Sequence, residues 1–408
     1  MYRLRLILAA LLALVPHLPA DDWPQFLGPD RNNISRSQTP LSDWPKSGPP
    51  KLWQYKVGTG WAGPVVADGR VVVFHRSGDR EIIDCLDGAT GKSIWTFKSA
   101  TDYVDGFGFD NGPRSTPAIY QGVIYAFGAD ANLHAVKLVD GQALWSINLK
   151  RTIKAPNGFF GLACSPIVHD GQVLLNIGAP EGAGVVAIDA TTGQLRWKSV
   201  ADEASYASPV TQRIGKDESV IFVTRKQMVS LDPRNGRAHF KLPFSPAMSA
   251  SVSASTPLIA DDIIFTTASY GAGAKTLKVT KNGTKILWEN DASLSCQYHT
   301  PLLLAGHLYG FHGRLDTGPR PEFRCVELAT GAIKWRNQRV GAGALIKVGE
   351  EILNLTVDGQ LLRGRLSPAG YRESTRVQVL GFEVRAHPAF ADGRFFARDK
   401  TKLVCLKL

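Results

Sequence analysis

The sequence predicts an all-β chain in which eight four-stranded sheets stand in a closed ring. Three observations predict it: a loop pattern that recurs along the chain, a Pro-led strand start that recurs between those loops, and an unpaired half-sheet at each end. Repeats of this length mark solenoids, arrays or radial folds, so they decide the architecture before any single motif does.

The loop is clearest at Ala187–Trp197, where Asp189 is followed by Thr192, Gly193 and Trp197. An Asp side chain can bond the backbone two residues on, Gly supplies the positive φ that the reversal needs, and the returning strand carries the Trp. The same spacing gives Asp87, Thr90, Gly91 and Trp95, then Lys137, Gly141 and Trp145, then Asp232, Asn235, Gly236 and Phe240. Two further copies are Asn282, Gly283 and Trp288, with one extra residue, and Glu327, Thr330, Gly331 and Trp335. The copies recur at intervals of roughly 50 residues, the length of a four-stranded unit.

The strand starts set the count. A small or polar residue and Pro precede a short strand and a Gly turn at Gly63-Pro64, Thr116-Pro117, Ser165-Pro166, Ser208-Pro209, Thr256-Pro257, Thr300-Pro301 and His387-Pro388. Pro is tolerated at the first residue of a strand, where its missing N–H costs least. Leu345 with Val348-Gly349 fills the remaining place without Pro, in a unit whose end is degenerate at Leu366, Pro368, Gly370 and Tyr371. The strand bearing Trp53 has nothing before it to close, and the Cys405 strand has no Trp strand after it. The two complete one sheet only if the termini meet. Radially repeated four-stranded units with that closure are an eight-bladed propeller spanning residues 51–408, and closure removes the gap that invites edge pairing. Each Trp is expected to pack between neighbouring blades.

The ends differ in kind. Residues 1–20 carry Arg3 and Arg5, an apolar run from Leu6 to Val15 and a terminal Ala20, which reads as a cleavable signal peptide. Leu18 is larger than the residue preferred two before the cut, so the cleavage site is open, and no nearby Cys suggests a lipid anchor. No later segment has transmembrane length and apolarity, so a soluble periplasmic or secreted protein is expected, as a monomer. Residues 21–50 are rich in Pro, Gly, Asn and Ser and carry Trp23, Phe26 and Trp44, an extended arm expected to drape over the domain. The formal charge of +11 falls to +9 without the acid-free leader, and no basic run is interleaved with aromatics, so nucleic acid is not a partner. Of five Cys, Cys85, Cys325 and Cys405 share one register two residues before the loop, while Cys164 and Cys296 do not; a shared register argues for small buried residues rather than metal or redox chemistry.

The Asp-x-x-Thr-Gly-x-x-x-Trp loop, with Cys or Ala two before the Asp, resembles the repeat of pyrroloquinoline quinone (PQQ)-type eight-bladed propellers. Trp23, Gln25, Phe26, Gly28 and Pro29 resemble the lead-in of exported members. That superfamily holds the quinoprotein alcohol dehydrogenases and the propeller subunit of the bacterial outer-membrane barrel-assembly machinery. The dehydrogenase branch implies PQQ between a Trp and a disulfide of adjacent Cys, Ca²⁺ on Glu and Asn oxygens, and an Asp base; this chain has no adjacent Cys pair. The assembly subunit is a lipoprotein, and the lipidated Cys is absent here.

Other motifs have structural explanations. Gly58, Gly60 and Gly63 fit a dinucleotide spacing, but a Pro-led strand follows instead of a helix. His307 and His312 lack a completing carboxylate, and Ser165 and Ser208 recur at the repeat register, so neither pair reads as a catalytic or metal site. No catalytic residue and no metal ligand is assigned. Binding residues are sought instead among the non-repeating positions before each Pro, which the fold gathers at one channel mouth: Trp61, Asp110, Asn111, Arg114, Asn157, Phe159, Tyr206, Ser251, Gln297, Tyr298, His299, Glu383, Arg385 and His387. Aromatics, Arg and amides there suit a small polar or aromatic ligand or a partner's loop. The expected function is an exported, non-catalytic protein-binding or assembly scaffold of the cell envelope, without a cofactor. The alternative is a PQQ- and calcium-dependent alcohol or sugar dehydrogenase, or a small-ligand binder at the mouth.

Overall fold

The computed structural model describes residues 21–37, 40–45, 47–214, 217–248, 251, 253–281 and 283–408. The signal-peptide expectation and the loop residue Asn282 lie outside the described residues. Eight four-stranded antiparallel sheets form the ring, and the only helix among the described residues is the short turn Leu149–Ile153. The blades span residues 65–100, 118–148, 167–199, 210–243, 258–290, 302–337, 343–378, and 389–407 joined by 51–56. The eighth is the composite sheet. Strand Lys51–Lys56 pairs antiparallel with Lys402–Lys407, Trp53 standing opposite Cys405, which is the closure the two orphan strands require.

The repeated Trp fastens six of the eight blade junctions. Trp53 Nε1 donates to Gly88 O at 3.1 Å, Trp95 to Leu138 O at 3.0 Å, Trp145 to Ala190 O at 3.0 Å and Trp197 to Pro233 O at 2.9 Å. Trp288 reaches Leu328 O at 2.8 Å and Trp335 reaches Ser367 O at 3.0 Å. Under five of these six indoles, all but Trp335, lies the loop Gly of the following blade: a Cβ at Gly91 would stand 2.5 Å from Trp53, and one at Gly236 2.5 Å from Trp197. Gly is required there twice over, for a φ near +70° and for the indole's approach.

A second belt runs near the axis. Gly63 N donates to Thr116 Oγ1 at 2.9 Å, Thr116 N to Ser165 Oγ at 3.0 Å, Ser165 N to Ser208 Oγ at 3.1 Å, and Thr256 N to Thr300 Oγ1 at 3.0 Å. Four of the five hydroxyls at this register, on Thr116, Ser165, Ser208 and Thr300, thus receive the preceding blade's backbone, which accounts for their recurrence. Both belts lapse between the fourth and fifth blades: the Phe240 ring offers no N–H, a Cβ at Gly283 would touch nothing, and Thr256 Oγ1 has no partner. Apolar side chains fill the spaces between blades, Phe74, Ile83 and Cys85 of the first blade packing with Ile124, Ala126 and Val136 of the second. All five cysteines are buried and free.

The arm divides into two parts. Residues 40–45 and 47–50 lie along the seventh and eighth blades, where Arg363 donates to Leu41 O and Ser42 O at 3.2 and 2.6 Å. Residues 21–37 instead cross the channel. Trp23 and Val66 exchange two backbone bonds of 2.9 Å in the first blade, and Ile119 N of the second donates to Pro24 O at 2.8 Å. The buried Arg31 guanidinium donates to Pro209 O at 2.8 Å and to Pro166 O, at the heads of the fourth and third innermost strands. Asn33 Nδ2 reaches Thr300 O at 3.2 Å, and Ser35 N reaches Lys347 O at 2.9 Å. The aromatics predicted to lie over the domain are therefore partly inside it: Trp23 and Leu27 are fully buried.

Candidate functional site

Strand direction decides what the two mouths carry. Innermost strands run away from one mouth, so that mouth receives the blade-to-blade connections and the turns between second and third strands. The opposite mouth receives the Gly turns and the Asp-to-Trp loops. The arm closes the channel toward the second mouth, where Asp21 lies beside Asp392. The first stays open above it.

The centre of the open mouth is Trp61. The Arg385 and Arg114 guanidiniums stand 4.4 and 4.8 Å from its ring centroid, and Lys400 Nζ stands 5.9 Å from it. Cation–π pairs range from roughly 0.5 kcal/mol when exposed to about 2 kcal/mol when desolvated, and of the three cations Arg114 is the buried one. Three carboxylates balance the three cations. Arg114 pairs with the buried Asp105 at 3.2 Å, Lys400 with Glu383 at 2.7 Å and with Asp110 at 4.0 Å, and Arg385 with Glu383 at 3.4 Å. The cluster is charge-neutral. Arg385 also lies 5.7 Å from the ring of Tyr298, which packs on His299 at 4.4 Å.

The floor is made by the arm. His387 stacks on Trp23 at 6.3 Å and meets Phe26 edge-on at 5.6 Å. Its Nδ1 lies 2.9 Å from Pro388 O, so a neutral ring donates there and keeps its lone pair on Nε2. Burial holds the His387 imidazole down to about 4. Burial, with His387 and Arg385 adding, holds His299 down to about 3. Burial raises the phenols of Tyr206 and Tyr298. Four buried polar atoms of the cluster have no hydrogen-bond partner: Trp61 Nε1, Arg114 Nε, Asp110 Oδ2 and His387 Nε2. Such atoms cost free energy unless water or a ligand meets them.

Around this floor stands an aromatic rim. Phe107 stacks on Phe159 at 4.6 Å and meets Phe160 at 5.0 Å, and Phe160 meets Tyr206 at 6.0 Å. Val104, Phe107, Phe109, Phe159, Met248, Leu315 and Phe382 are exposed, Phe382 to 77%. Asn157, Phe159, Met248 and Ser251 line a cleft of about 790 Å³ beside the rim. Gln297 is held by Tyr270 Oη at 2.9 Å and Asp316 at 3.0 Å, and the Asn111 carbonyl oxygen Oδ1 accepts from Asp105 N at 2.8 Å, so both amides are committed to the fold.

Of the residues singled out in the sequence, Trp61, Asp110, Arg114, Tyr298, His299, Glu383, Arg385 and His387 form one connected cluster. Tyr206, Asn157, Phe159 and Ser251 belong to the rim and cleft. Sequence reasoning missed Lys400, in the turn between the second and third strands of the eighth blade, and Asp105, Phe107 and Phe109, in the long first connection. Up-and-down strand counting places that turn at the same mouth as the connections, so the signal was there. His307 and His312 are satisfied: His307 Nδ1 lies 2.9 Å from Ala305 O, and His312 Nδ1 accepts from Ser295 N at 3.0 Å.

Comparison with known proteins follows from this architecture. A 141-residue stretch is 29% identical to the quinohemoprotein alcohol dehydrogenase of Comamonas testosteroni, covering 34% of this chain and 19% of that protein. A 149-residue stretch is 28% identical to outer membrane protein assembly factor BamB of Yersinia pestis, covering 36% of this chain and 35% of that protein. The chain thus spans well under two thirds of these relatives. Among solved structures, BamB of Moraxella catarrhalis superposes with a TM-score of 0.64 at 14% identity, over 88% of this chain and all of that one. The Comamonas testosteroni dehydrogenase superposes with a TM-score of 0.68 at 16% identity, over 94% of this chain and 80% of that one. At such identity the likeness is one of fold. The family model described as outer membrane protein assembly factor BamB matches residues 45–158 and 79–337, and the chain belongs to that family of PQQ-like propellers.

Proposed function

We propose that this protein is an exported, non-catalytic scaffold of the cell envelope that holds a segment of a partner protein at its open mouth. Family membership supports an envelope assembly role in outline. The observation that carries the finer reading is the rim of exposed apolar side chains, Val104, Phe107, Phe109, Phe159, Met248, Leu315 and Phe382, gathered on connections around one mouth. Exposed apolar groups elsewhere, such as Ile94, Leu144 and Leu195, are single residues on outermost strands. Phe107, Phe109 and Phe159 join Phe160 in one aromatic patch, and such a patch beside polar groups is the mark of an interaction site, while scattered apolar residues need no explanation. Cross-linking the exported protein to envelope proteins, with and without the double substitution Phe107→Glu and Phe109→Glu, tests this. The parent is expected to give a discrete adduct that the variant loses; an adduct unchanged in the variant overturns the reading.

A second reading, a small polar ligand on the floor, is favoured by the four unpartnered buried atoms around Trp61. They comprise two donors and two acceptors in a charge-neutral cluster, which suits a neutral hydroxyl-bearing molecule. The floor does not fit PQQ with calcium: two guanidiniums stand over the Trp61 ring, Glu383 is held by two cations, and no two cysteines adjoin. Dye reduction by the pure protein with PQQ, Ca²⁺ and alcohols or sugars distinguishes an enzyme from both readings.

A further inference from the structure

The arm that closes the channel leaves one blade without a hydrogen bond. Residues 21–35 bond to the first blade at Val66, the second at Ile119, the third at Pro166 and the fourth at Pro209. They reach the sixth at Thr300, the seventh at Lys347 and the eighth at Asp392. Among the described residues none of their bonds reaches the fifth. Between the arm and the fifth blade's innermost strand lies a cavity of about 580 Å³, walled by Arg31 and Asn32 and by Val210, Leu258, Ile259 and Leu303. Gly306 also stands in the wall, which places the cavity at the closed mouth. It spans the junction of the fourth and fifth blades, where the indole clasp and the hydroxyl belt both lapse.

Arg31 brings a charge into that wall and is only 3% exposed. Its Nε donates to Gln25 Oε1 at 2.9 Å, its Nη1 to Pro209 O at 2.8 Å and to Ser165 O at 3.5 Å, and its Nη2 to Pro166 O. All four acceptors are neutral. Among the described residues no carboxylate pairs with it, and the one titratable group acting on it is the Cys164 thiol, which burial pushes up to about 11 and so keeps protonated. Burial brings the guanidinium down to about 10, so it stays charged at neutral pH. The neighbouring carboxylate, Asp30, is held by Arg36 through contacts of 2.5 and 3.1 Å. Buried charges are ordinarily met by an opposite charge, and this one meets only carbonyls. Four bonds leave one of the five guanidinium hydrogens unused. Asn32 Oδ1 accepts from Ile34 N at 3.0 Å, and among the described residues its Nδ2 hydrogens are unpaired.

We propose that this cavity binds a small organic monocarboxylate, its head on Arg31 and Asn32 and its hydrocarbon body against the fifth blade's innermost strand. One uncompensated positive charge calls for one negative charge, since a dianion would leave an excess charge buried. The aliphatic walls of Val210, Leu258, Ile259 and Leu303 favour a hydrocarbon body over a hydrated inorganic ion. Seated there, the ligand joins the arm to the blade it otherwise misses. Its role is structural.

The exported protein, dialysed into carboxylate-free buffer at pH 7 and fixed ionic strength, is titrated calorimetrically with acetate, butyrate, hexanoate, butylammonium and inorganic phosphate. Butyrate should bind about tenfold more tightly than acetate, two methylenes being buried, and hexanoate more tightly again. Butylammonium and phosphate should not compete. Hexanoate at about a hundredfold excess over its Kd should raise Tm by about 3–5 °C. Arg31→Met should weaken hexanoate by about ten- to a hundredfold. Should that variant fold poorly, Ala260→Phe, which fills the cavity from the fifth blade, should weaken hexanoate while sparing acetate. Absence of saturable carboxylate binding to the parent, phosphate binding more tightly than hexanoate, or a hexanoate affinity unchanged in either folded variant would each overturn the proposal.

Discussion

The two mouths of this ring are made from the same eight blades and have opposite constructions. The closed mouth is backbone-rich: the arm exchanges main-chain bonds with the first, second and seventh blades, and Arg31 satisfies carbonyls of the third and fourth. The open mouth is side-chain-rich, with three cations and three carboxylates around one indole under a rim of exposed aromatics. The difference teaches where stability and recognition are separated. Buried backbone groups must be paired for the ring to stand, so the closed mouth is structural; long connections are freer to vary, so the open mouth can be shaped for a partner.

Substitutions can break or sharpen that contrast. The largest effect is expected at the closed mouth, where Trp23→Ala should cost about 3–5 kcal/mol in denaturant unfolding while leaving partner cross-linking in the surviving folded protein unchanged. Loss of cross-linking at full folding would merge the two mouths' roles. Next comes His387, which lies between them. Its folded value, near 4, is below the ordinary 6.5, so the stability it supports is present above 6.5 and lost as pH falls toward 4. Its acid limb should amount to about 3 kcal/mol, and His387→Gln should flatten it in urea titrations at successive pH values. Arg31→Met should cost roughly 1–3 kcal/mol by leaving buried carbonyls unpaired. Smallest for stability, Phe107→Glu with Phe109→Glu should stay within about 0.5 kcal/mol of the parent. A large loss would mean that the rim is core.

A similar contrast within the ring explains what was legible in the sequence. The junction of the third and fourth blades has both fastenings, Trp197 on Pro233 O over Gly236 and Ser165 N on Ser208 Oγ. At the next junction Phe240 stands for Trp and the Gly283 loop is one residue longer, and the indole clasp is missing. Sequence registered this as a blemish in a repeat; structure shows it as a seam. The ring was readable because Trp, Gly, Pro and hydroxyl answer the same geometric demands in most of the blades. The orphan strands of Trp53 and Cys405 gave its closure for the same reason.

The site was readable only in part. Trp61, Arg114 and Arg385 stood out as non-repeating residues at a repeating position, and they do converge. Lys400 did not, because it sits in a turn whose length and composition carry no periodic signal. The arm's passage through the channel was equally hidden: Trp23 and Arg31 are written as in any irregular segment, and their partners are main-chain carbonyls and amides that no side-chain pattern reveals.

The account turns on which mouth faces the partner. A photo-reactive residue placed at Phe109 on the open mouth, and separately at Asp392 on the closed one, compares them directly in the exported protein. The account predicts a discrete adduct from position 109 and none from position 392. An adduct from 392 alone, or equal adducts from both, would contradict it.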